Sequence, residues 1–189
     1  VGIAMLWGCY GPTENSALDK TKAPADGKGE TVLFDFNSGS DISEWKSVND
    51  TVMGGVSTGR MEKSDTGKAS FTGTVSLENN GGFIEAALDV GDTEAADASD
   101  YHGLLLKVYG NNQEYNLHLR TSDLDRPWQS YRASFIAGNE RQEIRLPFVE
   151  FQPHRTEAPF SPANVRRIGI VAIGREFDAD VRVYGVAWY

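Results

Sequence analysis

Trp45-Lys46-Ser47-Val48-Asn49-Asp50-Thr51-Val52-Met53-Gly54-Gly55-Val56-Ser57-Thr58-Gly59 reads as strand at both ends and breaks in its middle on a pair of glycines. A second run, Leu77-Glu78-Asn79-Asn80-Gly81-Gly82-Phe83, repeats the device roughly twenty residues later. Glycine inside a strand pattern marks a bulge, or a place where another backbone or a ligand comes close. Two such breaks so near each other predict one shared surface feature. Its candidate contact residues are Asn49, Asp50, Met53, Gly54 and Gly55 from the first run, and Asn79, Asn80, Gly82 and Phe83 from the second. Asn49 and Asp50 have a purely structural role open to them as well: hydrogen-bonding the bulged backbone at Gly54-Gly55, as Asn and Asp do in turns.

Outward from these runs the chain is a series of short alternating segments separated by turn chemistry. Residues 32–36 alternate and end at Asn37-Ser38-Gly39-Ser40, and residues 69–77 set Phe71, Gly73, Val75 and Leu77 against Thr72, Thr74 and Ser76. Strands are also predicted over 82–90, 104–109, 115–121, 130–136, 142–146, 167–173 and 181–188. Period-two patterning repeated at this spacing, with Gly and Asn between, predicts an all-β sandwich. No segment reads as a capped amphipathic helix. Single turns are expected near Phe148, Val149 and Glu150 and over 162–165.

At 189 residues the chain suits one domain and a tail, and its 40% hydrophobic content is enough for a core. The formal net charge of -9 repels phosphate backbones, so no nucleic-acid partner is expected. Charge is uneven: residues 85–100 hold six acidic and no basic residues, while ten of the eleven arginines lie from Arg120 onward. The acidic run reads as a solvated loop. A single cysteine, Cys9, rules out an internal disulfide, and His102, His118 and His154 lack metal-motif spacing, so no metal or cofactor is expected. Residues 1–9 are apolar and far too few to span a bilayer. They read as the end of an export signal, and Leu6-Trp7-Gly8-Cys9 resembles a bacterial lipoprotein processing box with Cys9 as the lipidated residue. Residues 10–30 then form a flexible tether and 31–189 the domain. The expected location is the bacterial cell envelope, periplasmic or cell-surface, with a soluble cytoplasmic protein as the alternative. Any membrane contact would run through Cys9, and a monomer is expected.

Chemistry-bearing motifs are sparse. There is no nucleophile elbow, phosphate loop or dinucleotide fingerprint. Asp50, Glu78, Glu85, Asp123 and Asp125 could form a hydrolytic carboxylate pair only if the fold set two of them face to face. The polar side of residues 115–121 is more informative. Asn116, His118 and Arg120 project together from one sheet face, and Trp128, Tyr131 and Trp45 are flat apolar surfaces that could join them, unless they serve the core. Planar rings beside forked donors make a platform for a sugar or a peptide.

The Trp45 to Gly59 stretch, residues 76–83 and Arg141-Gln142-Glu143-Ile144-Arg145-Leu146-Pro147-Phe148-Val149-Glu150-Phe151 closely resemble the complex I intermediate-associated protein family of the thirty-kilodalton class. Gly103-Leu104-Leu105-Leu106-Lys107-Val108-Tyr109-Gly110, Tyr115-Asn116-Leu117-His118-Leu119-Arg120 and Val165-Arg166-Arg167-Ile168-Gly169-Ile170 follow in family order. The resemblance implies a jelly-roll β-sandwich of the galactose-binding-like kind, related in shape to carbohydrate-binding modules. It also implies a non-enzymatic binding module, an assembly factor or chaperone for a membrane protein complex that docks a protein partner through the glycine-pair surface. The alternative is a cell-surface carbohydrate-binding module that takes a glycan through Asn116, His118, Arg120, Trp128 and Tyr131. Fold transfers along such a resemblance more safely than activity.

Overall fold

The computed structural model describes residues 29–189 apart from 37–39, 64–67 and 92–93. The leader, Cys9 and all but the last two residues of the tether lie outside the described residues. Among the described residues the chain is all-β and forms twelve strands. They are β1 (Thr31–Asp35), β2 (Trp45–Asn49), β3 (Thr58–Lys63), β4 (Ala69–Val75), β5 (Phe83–Asp89), β6 (Gly103–Gly110), β7 (Gln113–Thr121), β8 (Ser130–Ala137), β9 (Gln142–Pro147), β10 (Gln152–His154), β11 (Val165–Ile173) and β12 (Phe177–Trp188). The two predicted turns are 3-10 turns at Phe148–Glu150 and Pro162–Asn164.

The strands pair antiparallel in two six-stranded sheets. Sheet A runs β3-β4-β12-β6-β9, with β1 taking over from β4 along the last residues of β12; sheet B runs β10-β8-β7-β11-β5-β2. Alternation explains the layering. Tyr115, Leu117 and Leu119 of β7, Ile168 and Ile170 of β11, and Val181 and Val183 of β12 are all buried in the core between the sheets. Tyr131, Phe148, Phe160 and Trp188 close one end, with ring centroids 5.1 to 5.9 Å apart along the chain of contacts.

The glycine-pair run departs from a bulged strand. Its two halves belong to different sheets: β2 is the edge of sheet B and β3 the edge of sheet A. Between them lies a 3-10 turn, Asp50–Met53, whose C-cap Gly54 is left-handed at φ 91°. The second run is also a crossing between sheets, from β4 to β5, with Asn79, Asn80 and Gly82 all at positive φ. One side chain pins the two crossings together. Asp50 carries no exposed surface, and its carboxylate accepts from Ser57 N (3.0 Å), Ser57 Oγ (2.5 Å), Gly82 N (2.6 Å) and Phe83 N (3.3 Å). Ser57 Oγ in turn accepts from Ser76 N at 2.9 Å, beside the end of β4. A Cβ at Gly55 or Gly81 would overlap the Asp50 carboxylate, which is why both positions are glycine. The edge strands are stitched as well, by Asn49 Nδ2 to Gly59 O and Met61 N to Ser47 Oγ.

Burial alone would raise the Asp50 carboxyl, but its hydrogen bonds from Ser57, Gly82 and Phe83 outweigh this and hold it below its ordinary value. Its contribution is therefore complete above the ordinary carboxylate range and is lost as pH falls through the lowered value. Asp50→Asn should lower the unfolding free energy by roughly 2–4 kcal/mol in urea titrations. It should also flatten the acid limb of the stability curve. Gly81→Ala should destabilise comparably; wild-type stability in both variants would show that the carboxylate does not hold the crossings.

Candidate functional site

Sheet B turns its second face outward, and the register sets out what that face carries. Across its middle, Arg132 of β8 stands opposite His118 of β7, His118 opposite Gly169 of β11, and Gly169 opposite Ala87 of β5. On one side of this row Arg120, Arg167 and Asp89 line up; on the other, Asn116, Val171, Glu85 and Val48. Gly169 and Ala87 form a floor of small residues. The Glu85 side chain leans over it: a Cβ at Gly169 would overlap the Glu85 carboxylate. Arg120 and Arg167 rim the floor on one side, and Arg132 stands at the end of the row.

Most of these groups are tied down. Arg167 Nε donates to Asp89 Oδ1 at 2.6 Å, and Lys46 pairs with the other Asp89 oxygen. Hydrogen bonding from Arg167 holds the Asp89 carboxyl down at about 2, against its burial and with help from Lys46. Arg120 donates to the Arg126 carbonyl at 3.0 Å, fixing the β7–β8 loop, and Arg132 Nε donates to Ser130 Oγ at 3.0 Å. Gln129 clamps the same loop to the Arg155 carbonyl at 3.1 Å. Trp128, 53% exposed, projects from this clamped loop.

Two groups stand out by what they lack. His118 is only 8% exposed, and its Nε2 has no hydrogen-bond partner among the described residues; the buried Nε of Arg120 has none either. Burial first, then the charge of Arg132 and the proximity of His154, push the His118 ring down to about 3, so it is neutral near pH 7. Burial raises the Glu85 carboxyl against the pull of Arg167, Arg120 and Arg132. A neutral imidazole, an amide and several guanidinium groups on one face offer hydrogen-bond donors and acceptors beside the carboxylates of Glu85 and Asp89.

The predicted site residues fall into two places. Asn116, His118 and Arg120 do share the outer face of sheet B, with Trp128 on the loop that Arg120 tethers. Tyr131 corrects the expectation: it alternates inward with Ala133 and Phe135, has no exposed surface, and donates its hydroxyl toward Ala158 O and Pro159 O at 3.1 Å. Trp45 is likewise core, edge-on to Phe34 at 5.5 Å. Asn49, Asp50, Met53, Gly54, Gly55, Asn79, Asn80 and Gly82 form the two crossings. Within that set Asp50 is sealed from ligands: its carboxylate binds Ser57, Gly82 and Phe83 while its backbone carbonyl accepts from Gly55 N at 3.1 Å, whereas Met53 is 66% and Val52 74% exposed. Phe83 joins the regions, standing opposite Ile173 two residues before Glu85. Glu85, Arg132, Arg167 and Gly169 were not singled out as contacts. Each alternates with an inward apolar neighbour, but only the strand order brings them together. Among the described residues no group of His, Cys, Asp and Glu is arranged to hold a metal ion.

The fold is similar to that of β-sandwich carbohydrate-binding modules, to which several of the solved structures it resembles belong. A family 11 module of a cellulosomal cellulase from Clostridium thermocellum matches with a TM-score of 0.65 at 14% identity, over 85% of this chain and 94% of the module. The family 11 module from the same organism in complex with a β-1,3-1,4-mixed-linked tetrasaccharide matches at 0.65 and 13%, over 87% and 96%. A family 30 module of another cellulosomal cellulase of that organism gives 0.60 at 11% identity, over 85% and 96%. At these identities the likeness is one of fold. No curated protein matches the sequence. The family model for complex I intermediate-associated protein 30 matches residues 34–182, and the chain belongs to that family.

The buried ring supplies a pH test. Folded His118 takes its proton only near 3, whereas a free imidazole takes it near 6.5. Unfolding therefore takes up a proton between these values, and stability falls as pH drops through them, by up to about 1.4 kcal/mol per pH unit. His154, lowered by burial and by Arg132 and Arg155, acts in the same direction. His118→Asn should remove most of this slope, and the His118 ring signals should not shift by NMR between pH 7 and 5 (roughly the span in which a free ring titrates). A ring that titrates there would contradict its burial.

Proposed function

We propose that this chain is a non-enzymatic binding module that takes an oligosaccharide on the outer face of sheet B. The observation that carries this reading is the outward-facing row Arg132–His118–Gly169–Ala87. There His118 Nε2, buried and unpartnered among the described residues, sits beside Asn116 and Arg120, with Glu85 leaning over the Gly169–Ala87 floor. Sugars present dense, directional hydroxyls, and planar amide, imidazole and guanidinium groups meet them with paired donors and acceptors. Trp128 supplies a flat ring at the loop end of the face. The fold likeness to modules of cellulosomal cellulases, one of them holding a tetrasaccharide, supports the same reading.

A second reading has its own observation. Val52 and Met53 are 74% and 66% exposed on the Asp50 corner, with Val56 and Leu77 exposed nearby in sequence on the two crossings. Exposed apolar residues held on a rigid corner suit a protein partner, and the family's name associates its members with complex I intermediates. In both readings the module is displayed at the bacterial cell envelope through a lipid on Cys9. Incorporation of a labelled fatty acid in cells, abolished by Cys9→Ala, would check that placement.

A glycan array followed by calorimetry on the purified domain decides between the two surfaces. Binding should weaken about tenfold in His118→Ala and about three- to tenfold in Trp128→Ala. It should be unchanged in a Val52→Ser/Met53→Ser double variant. Loss of a co-purifying membrane partner in the double variant, with no glycan bound at millimolar concentration, would favour the protein-docking reading and reject the first.

A further inference from the structure

The outer face of sheet B has the opposite charge character to the protein that carries it. The chain has a formal net charge of -9. Yet Arg120, Arg132 and Arg167 stand around the Gly169–Ala87 floor, and Arg155 and Arg166 are near enough to act on Arg132 and Arg120. Two carboxylates enter this ring. Asp89 is taken up by Arg167 and Lys46. Glu85 alone lies over the floor and is shared among three guanidinium groups. Among the described residues, neither Arg120 nor Arg132 has a carboxylate within ion-pair distance; their partners are a carbonyl and a hydroxyl. The terminal amino groups of Arg132 have no acceptor among the described residues.

Two partly desolvated guanidinium groups with no carboxylate at ion-pair distance are an arrangement that a bound anion would improve. Burial first, then the neighbouring Arg167, disfavours the charged form of Arg120, against the pull of Glu85 and Asp89. The forked donors of arginine match the two coplanar oxygens of a carboxylate. An extended polyanion of the nucleic-acid kind would meet the repulsion of the whole acidic surface, whereas a short ligand meets only this face.

We infer that the oligosaccharide taken by this face is acidic: a glycan carrying uronic-acid carboxylates, with a carboxylate received between Arg120 and Arg132 and neighbouring hydroxyls bonded by His118 and Asn116. This inference rests on the reading of sheet B as a glycan face. Glu85 then sets a limit on affinity, because its charge opposes the ligand's. The same side chain in a site for neutral sugars would strengthen binding by accepting hydroxyls.

That opposition gives a test of the whole domain by calorimetry. The acidic probes are oligogalacturonate, oligomannuronate and a hyaluronan tetrasaccharide. The matched neutral probes are methyl-esterified oligogalacturonate and the β-1,3-1,4-mixed-linked tetrasaccharide, and a glutamate-rich peptide serves as a non-sugar anion. At least one acidic oligosaccharide should bind, about tenfold or more tighter than any neutral probe and the peptide, and weaken severalfold between about 50 and about 500 mM salt. Arg132→Gln and Arg120→Gln should each reduce that binding about tenfold, with unfolding curves confirming intact domains. Glu85→Gln should tighten it. Neutral glycans that bind as well as the acidic ones, without salt dependence and weakened by Glu85→Gln, would overturn the inference and leave the glycan reading standing. Equal binding of the peptide would also overturn it, in favour of an acidic protein ligand. No binding by any glycan would remove both.

Discussion

The fold depends on a single buried carboxylate. Asp50 sits where the chain leaves the edge of sheet B for the edge of sheet A, and it receives the backbone at the point where the chain next returns. A sandwich of two sheets has no covalent reason to keep its edges in register, and each crossing is a loop whose closure costs entropy. One ionised group satisfied by four donors joins two crossings that are far apart in sequence but adjacent in space. It does so without exposing the charge, which makes the geometry stringent: the hydrogen bonds offset desolvation only when all the donors are in place. The glycines and left-handed asparagines around it are consequences of that demand, since each lets the backbone approach or turn where a side chain would intrude.

The outer face of sheet B stands downstream of the same corner. Gly82 and Phe83, held by Asp50, begin β5, and β5 carries Glu85, Ala87 and Asp89 into the face at fixed spacing. The order of strands does the rest. With β7 and β11 at the middle of the sheet, alternation alone sets His118, Arg120, Arg167 and Gly169 side by side. The face owes its precision to the sheet rather than to loops, and only Trp128 stands on a loop, itself clamped at Arg126 and Gln129.

The sequence made the sandwich legible because alternation is a local property. Tyr115, Leu117 and Leu119 read as inward from their own spacing, and the structure places them there. The nine strands anticipated from period-two pattern are present. The ends of the glycine-pair run, read as strand, are β2 and β3 in different sheets, and the missed element was the short β10, where Pro153 obscures the alternation. Side chains on one strand could be grouped, so Asn116, His118 and Arg120 were recognised as a set. Groups from separate strands could not be, because nothing in Glu85 or Gly169 announces which strand will lie beside theirs. Tyr131 failed for a related reason. An aromatic residue at an alternating position fits either face, and the choice was made by the Phe148–Phe160 cluster contributed from elsewhere in the chain.

The pairing of β1 with the last residues of β12 carries a different implication. Thr31 lies opposite Trp188, so the points where a polypeptide enters and leaves this domain are neighbours, and both belong to sheet A. The arginine-rimmed face belongs to sheet B, on the far side of the sandwich. Sequence attached at either end of the described residues therefore approaches from the side of sheet A, opposite the arginine-rimmed face of sheet B.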